Sequence, residues 1–427
     1  MRTENMKKNR ARALAAALVI CGAASARADV VIDWNATMIA TIAGQNPFAS
    51  ARYAAITQLA VFEAVNAITK NYEPYLGTIT HPTIIAPAGA SVEAAAAQAA
   101  HDVLVAYFPA KSIALDAALA ASLAAIPDGT SENQGVGVGQ AAAAAMIALR
   151  ASDGSALTAF YTPPTTDPGQ WQATPSCGVA ALGTNYHWRG VTPFGLPDVQ
   201  DFRAATPPSL TSGKYAKDYN EVKSVGAVDS VRAQDRTDVA RFYASGISPT
   251  GWGNSAARQI APAHSQSISE NARAFALLNM AITDAAFAVF DSKYYYERWR
   301  PETSIRDAAS DGNPKTDFDL TFVPFISAPC FPAYPSAHGT LSSAAAEVLQ
   351  RLYGPAGHDV TFSAPAVPAL AGIVLHYTTF TAIIADISDA RVYGGIHFRY
   401  DQDGGERQGE RIGHYLFEHK LRAVHPE

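Results

Sequence analysis

The sequence predicts a mainly α-helical protein, and three observations carry that reading. Residues 50–150 are rich in alanine and place their apolar side chains at helical spacing. A capped apolar run fills 267–300, and few stretches show the period of two that a half-buried strand needs. Neither an internal repeat nor a coiled-coil heptad competes with this pattern.

The first 28 residues are set apart from the fold. A basic stretch, an apolar run over 13–24 and the triplet Ala26-Arg27-Ala28 give the charge, core and small-residue pattern of a secretory signal peptide. Ile20 precedes Cys21 where a lipoprotein signal would want a small residue, so cleavage before Asp29 and an exported, periplasmic or secreted protein are expected. Residues 1–28 hold six Lys or Arg and one Glu; without them 26 cationic side chains face 37 anionic ones, a net charge near −11. That balance argues against nucleic-acid binding and against docking on an anionic membrane. No later run offers the roughly 18 uninterrupted apolar residues of a membrane span. Beyond residue 28 the cysteines are Cys177 and Cys330; an oxidising compartment allows a disulfide, and their spacing leaves bridge and free thiols equally open.

The N-terminal helical half, about 29–212, contains SVEAAAAQAAHDVLVAYF, where Val92, Ala95, Ala96, Ala99, Val103 and Leu104 share a stripe. From 157 to 212, Pro, Gly, Thr and Trp recur without period. So long an irregular segment is either a functional loop or a misread element. The C-terminal half, about 213–427, returns to helical texture. Ser267 and Glu270 form a capping-box pattern, and the two dozen residues that follow are apolar on nearly every face, which marks a central buried helix. Pro301 disfavours helical geometry at Arg300, so this helix should stop there. Lys293 and Arg300, two turns apart, would point the same way.

Two further segments offer groups that could meet that pair. In FPAYPSAHGT, Ser336 is a good N-cap, so the backbone N–H groups of Ala337, His338 and Gly339 form a helix start, which attracts an oxyanion. In DARVYGGIHFRYD, Gly394 and Gly395 break the chain after Arg391, and His397 and Asp401 lie i, i+4 on a resumed helix. Each piece alone has an ordinary structural reading, such as a cation reaching for solvent or a histidine satisfied in the core. Together, Lys293, Arg300, Arg391, Ser336 and the backbone at Ala337 would clamp an oxyanion, with His338 and His397 on either side of its central atom.

These blocks resemble the signature Lys-x6-Arg-Pro, Pro-Ser-Gly-His and Ser-Arg-x5-His-x3-Asp shared by vanadium-dependent haloperoxidases and type 2 phosphatidic acid phosphatases. The sequence supplies Lys293 to Arg300-Pro301, Pro335-Ser336-Ala337-His338, and Arg391 to His397 to Asp401 with matching spacings. FPAYPSAH and TDAAFAVFDSKYYYERWRP look like the soluble haloperoxidase branch, and IDWNATM and RFYASGISPTGW look like its bacterial members. The resemblance covers most of 30–420. It implies two four-helix bundles with the oxyanion site at the end of one. It also implies vanadate as cofactor, with vanadium coordinated by His397, and hydrogen peroxide and halide as substrates with a small organic acceptor as a further partner. His338 would be the acid/base, Lys293 would polarise bound peroxide, and Arg300, Arg391, Ser336, Ala337 and Asp401 would complete the anion site. Ala337 replaces the usual Gly and Ala390 the usual Ser. Phe331 stands where chloroperoxidases of the family carry Phe.

The same residues admit a second chemistry. With a phosphate monoester, His397 would be the nucleophile forming a phosphohistidine and His338 the acid for the leaving alcohol, an acid phosphatase. A third reading, an oxyanion binder without turnover, has no need of two histidines on opposite faces. Asp284 is either the orienter of His338 or a buried carboxylate capping a neighbouring helix. Phe331 and Trp299 are expected to line an aromatic approach. His414 and His419, five apart, do not share a face as zinc ligands would.

Overall fold

Capping side chains open most of the helices. In the computed structural model, which describes residues 29–78, 83–178 and 181–424, Asp29 accepts the Val31 N–H at 2.8 Å to start α1 (Val30–Ile42). Asn46, followed by Pro47, starts α2 (Pro47–Thr69), and Ser91 starts α3 (Val92–Tyr107). The signal-peptide reading of 1–28 lies outside the described residues. With α4 (Ser112–Leu123) and α5 (Thr130–Arg150) these helices form the first half. The stripe expected on α3 is wider than its spacing suggests, and residues 94–100 are buried throughout. The cause is a glycine face on α5: a Cβ at Gly139 would stand 2.5 Å from the Ala95 carbonyl oxygen, so the two backbones lie almost in contact.

α4 exposes most of its surface, and besides its buried Leu115 one histidine ties it to α3. His101 Nδ1 faces Asp102 at 2.8 Å and its Nε2 faces Asp116 of α4 at 2.9 Å, while Gln98 donates to Asp102 at 2.7 Å. The hydrogen bond with Asp102 leads the causes that raise the His101 pKa, against desolvation. A raised histidine contributes its stability below about pH 6.5, and that stability is lost as pH rises through the folded-state value. Amides of 112–123 should therefore exchange faster relative to those of α5 at about pH 8.5 than at about pH 6. His101→Gln should erase that difference, which hydrogen exchange read by mass spectrometry would show.

The irregular segment expected over 157–212 forms and begins earlier, at 151, with short 3-10 turns. Cys177 is joined to Cys330, which ties this segment to the loop before the candidate site. The second half contains α6 (Gly213–Val225), α7 (Gln234–Ser245), α8 (Pro249–Ile260), α9 (Ile268–Tyr296), α10 (Pro301–Arg306), α11 (Ala337–Tyr353), α12 (Phe380–Tyr393) and α13 (Arg399–His419). Between α11 and α12 an antiparallel hairpin, β1 (Ala356–Ser363) and β2 (Val374–Thr379), pairs Val360 with Tyr377. On β1, His358, Val360 and Phe362 point inward between exposed neighbours, a short period-two signal within a largely helical context.

The capping box forms as read: Ser267 Oγ accepts the Glu270 N–H at 3.3 Å and Glu270 accepts the Ser267 N–H at 2.7 Å. α9 then runs through the middle, packed by α1, α2, α8, α11 and α13. By length and composition it could cross a membrane, yet its whole apolar window is enclosed by protein. One core draws residues from Val31 to Leu421 and so joins both halves. A smaller one gathers Tyr215, Trp299, Phe398 and Tyr400.

α13 reads as polar, but its glycines are spaced to meet α11. A Cβ at Gly409 would stand 2.2 Å from the Thr340 carbonyl oxygen and 2.8 Å from the Ala344 nitrogen, and Gly405 and Gly413 repeat the contact one turn away. Gly409→Ala should destabilise by about 1–3 kcal/mol through overpacking. Gly137→Ala, on α5 with nothing within 4 Å, should instead gain up to about 1 kcal/mol from helix propensity. Calorimetry of the two variants gives opposite shifts in Tm if the packing account holds.

Candidate functional site

Three breaks in the chain meet at one place. The first is the end of α9, which comes earlier than the Pro301 signal implies. Glu297 adopts the left-handed conformation at φ 50°, Arg298 pairs with Gln170, and Arg300 becomes the extended N-cap residue of α10. Lys293 and Arg300 therefore do not share a helix face. They reach the site from a helix end and from an extended segment. The second break is the start of α11, where Ser336 Oγ accepts the Gly339 N–H at 3.2 Å and the Ser336 N–H donates to the Asp401 carbonyl at 2.9 Å. The capping fixes the helix start at Ala337 and His338, whose N–H groups precede the first intrahelical acceptor. The third is Gly394-Gly395 between α12 and α13. Gly395 has φ 76°, and a Cβ there would lie 2.3 Å from the Gly226 carbonyl oxygen, so only glycine fits.

His397 and Asp401 meet as the spacing predicts, although His397 precedes the first turn of α13. Its Nδ1 faces Asp401 Oδ2 at 2.9 Å, and that oxygen also accepts the Phe398 N–H at 3.0 Å. On the other side of the ring, Arg300 Nη1 lies 3.1 Å from Nε2. A carboxylate on Nδ1 and a guanidinium on Nε2 select one tautomer: Nδ1 carries the proton and Nε2 a lone pair. Burial lowers the His397 pKa well below the usual histidine value, and Arg300, Lys293 and Arg391 add to it, so the ring is neutral.

Lys293 Nζ donates to the carbonyls of Pro332 and Ala333, both at 2.8 Å. Arg300 Nε donates to Phe331 O at 2.9 Å and Nη1 to Ile396 O at 3.0 Å. Lys293, Arg300, Arg391, His397 and Asp401 are all at most 4% exposed. Burial pushes Arg300 down to about 9 and Arg391 down to about 10, and it lowers Lys293 well below its ordinary value with help from Arg300 and Arg391. Burial raises the Asp401 carboxyl against the Phe398 N–H and the nearby cations. Arg300 Nη2 and Arg391 Nε and Nη1 are buried and have no hydrogen-bond partner among the described residues. Asp401 Oδ1 also lacks one, on the Nδ1 side of the ring. Three buried cations against one carboxylate is a net positive site, and burial of unpaired charge costs several kcal/mol per ion. The donor set fits an oxyanion.

A cavity of about 300 Å³ opens onto this site, with His338, Arg391, His397 and Ala337 at its base and Phe331 and Phe48 on its wall. The Phe331 ring lies 5.2 Å from Lys293 Nζ and 5.0 Å from Arg300 Cζ. The Ala337 methyl faces the space, and Ala390 is buried in the core. His338 stands beside the Tyr243 carbonyl in the last turn of α7, and burial, Arg391 and Lys293 lower its pKa well below the usual value.

Two expected site residues lie elsewhere. Asp284 does not orient His338: its carboxylate accepts the N–H groups of Phe194, Gly195 and Leu196 at 2.6, 2.7 and 2.9 Å, holding the irregular segment against α9. It is a buried carboxylate serving a loop backbone rather than a helix cap, and both of its oxygens are engaged by that loop. Trp299 does not line the cavity. It is fully buried in the smaller core, because the chain after Glu297 pairs with 169–170 and turns the indole inward. Conversely, Asn46, Phe48, Asn185, Ile326 and Leu341 line the cavity without a sequence motif that marks them. Asn46 carried a local signal as the cap before Pro47, but nothing local ties it to a site about 290 residues away.

Residues 273–426 match the model of the VCPO second helical-bundle domain. This part of the chain is similar in sequence to that helical-bundle domain. It holds Lys293, Arg300, His338, Arg391, His397 and Asp401 together. A stretch of 93 residues is 39% identical to vanadium chloroperoxidase of Curvularia inaequalis, covering 19% of this chain and 14% of that relative's length. A bacterial vanadium-dependent iodoperoxidase superposes with a TM-score of 0.73 at 24% identity, covering 93% of this chain and 97% of that one. A holo-type bacterial vanadium-dependent chloroperoxidase superposes with 0.68 at 17% identity, covering 89% and 94%. The chain thus shares the helical fold of these bacterial vanadium haloperoxidases.

Proposed function

We propose that the protein uses vanadate to oxidise halide with hydrogen peroxide, yielding a hypohalous acid or an equivalent halogenating species. The observation that carries this reading is the set of unpartnered N–H donors of Arg300 and Arg391 beside the lone pair of a neutral His397. Bound vanadate would supply a Lewis acid that activates peroxide toward halide without changing oxidation state. His397 Nε2 would hold it, exchanging the Arg300 hydrogen bond for the ligand. Lys293, Arg300 and Arg391 would neutralise its oxygens, with backbone donors from Ala337 and His338. His338, neutral and lining the cavity, would take up and return a proton there. The bacterial-type export pattern of residues 1–28 and the Cys177–Cys330 bond support an exported, periplasmic or secreted location.

Asp401 holds His397 in its tautomer, a part that outer partners of metal ligands commonly play. Asp401→Asn should weaken vanadate binding by about 10- to 100-fold. Titration of fluorescence or heat with vanadate measures it, and unchanged affinity would remove Asp401 from the site.

The same clamp and lone pair suit phosphoryl transfer, with His397 as nucleophile. The purified mature chain, assayed side by side for peroxide-dependent bromination of a dione and for nitrophenyl phosphate hydrolysis, separates the two. Bromination that requires vanadate supports the peroxidase. Ester hydrolysis that vanadate inhibits, without halogenation, replaces it with an acid phosphatase.

A further inference from the structure

The cavity over His338, Arg391 and His397 is built for something larger than peroxide and halide. Above the charged base its wall is apolar, from Phe48, Phe331, Ile326 and Leu341. Its polar wall groups are neutral, the amides of Asn46 and Asn185 and the hydroxyl of Ser327, and no Asp, Glu or Lys lines it among the described residues. At about 300 Å³ it matches the lower end of small-molecule sites and takes one or two rings. Small polar reactants gain nothing from that wall, whereas a ring displacing water from it does. A cationic guest would find no carboxylate there, and an anionic one would compete with the oxyanion for Arg391.

Resting on the peroxidase reading, we propose that this cavity binds the organic acceptor itself, a neutral, electron-rich arene or enol of one or two rings, and that halogenation occurs inside it. Halide is oxidised by two electrons to the hypohalous acid while peroxide is reduced to water. The acceptor carbon then forms the carbon–halogen bond. The oxygen–halogen bond breaks, and the departing hydroxide leaves as water with the proton lost from carbon. Overall, peroxide, halide, one proton and the arene give the aryl halide and two waters. An acceptor hydroxyl would pair with Asn46 or Asn185.

The test compares a neutral methoxyphenol with the same ring carrying an alkylsulfonate, using the full chain loaded with vanadate and bromide as halide. A polymer-bound thioether too large for the cavity is present as scavenger, and peroxide loss is followed in the same samples. Reagent hypobromous acid sets the reference ratio of the two brominated products. The wild type should exceed that ratio by at least about tenfold and keep most of the neutral product despite the thioether. Ala244→Trp, at an exposed rim position facing the cavity, should return the ratio toward the reference. A wild-type ratio equal to the reference, with both products lost to the thioether, overturns the proposal in favour of released hypohalous acid. An unchanged ratio in Ala244→Trp overturns the assignment to this cavity. Absence of halide-dependent peroxide loss in the wild type overturns the peroxidase reading, and the acceptor proposal with it.

Discussion

Replacing His397 with alanine should reduce vanadate-dependent turnover on the order of 10³-fold or more, the scale seen when one member of a concerted site is removed. The side chain offers the neutral Nε2 lone pair among three cations, with its tautomer set by Asp401 at 2.9 Å. Alanine leaves Lys293, Arg300 and Arg391 able to attract an anion but with no ring nitrogen to hold it. It also removes one of the two hydrogen bonds that Asp401 Oδ2 accepts, the Phe398 N–H remaining, which costs about 0.5–1.5 kcal/mol. The melting temperature should therefore fall modestly while the helical circular dichroism spectrum is kept. Turnover retained within tenfold in a folded variant would place the vanadate elsewhere.

What the sequence disclosed follows from which features are local. Ser267 with Glu270, Ser336 as a cap and His397 with Asp401 are interactions within one turn, so residue identity and spacing determine them. Arg300 shows the limit. Its convergence with Lys293 was legible as a motif, but the route was not, because the left-handed Glu297 and the pairing of Arg298 with Gln170 are tertiary outcomes. Asp284 fails for a related reason: its partners, Phe194 to Leu196, lie about 90 residues earlier in a segment without periodicity. The neighbours of Trp299 in sequence suggest a cavity residue, yet an indole's direction after a helix end is not a local property. The glycines of α13 carried a readable signal, since positions 405, 409 and 413 recur every four residues. Their significance depends on α11 lying across them, and polar residues between them masked the buried face. The cavity wall was hidden most completely, as Asn46 and Asn185 come from the first half and the histidines from the second.

His338→Ala should lower turnover by about 10²- to 10⁴-fold, the usual contribution of a positioned acid/base, and leave vanadate affinity within about threefold. The asymmetry comes from charge. His338 is kept neutral by burial, Arg391 and Lys293, so its removal subtracts nothing from the positive field that attracts an oxyanion. Its ring stands beside the Tyr243 carbonyl, an acceptor left open by the end of α7, and lines the cavity. Tyr243 is itself anchored, its hydroxyl donating to Tyr377 at 3.0 Å and Tyr377 in turn to Asp386 at 2.8 Å. The hairpin strand β2 thus braces the helix beside His338. An oxyanion binder without turnover would give the opposite signature, since loss of a wall residue would alter binding or nothing. Calorimetric vanadate titration beside steady-state bromination decides the matter: affinity and turnover falling together would make His338 part of the clamp, and turnover falling alone would make it the proton carrier.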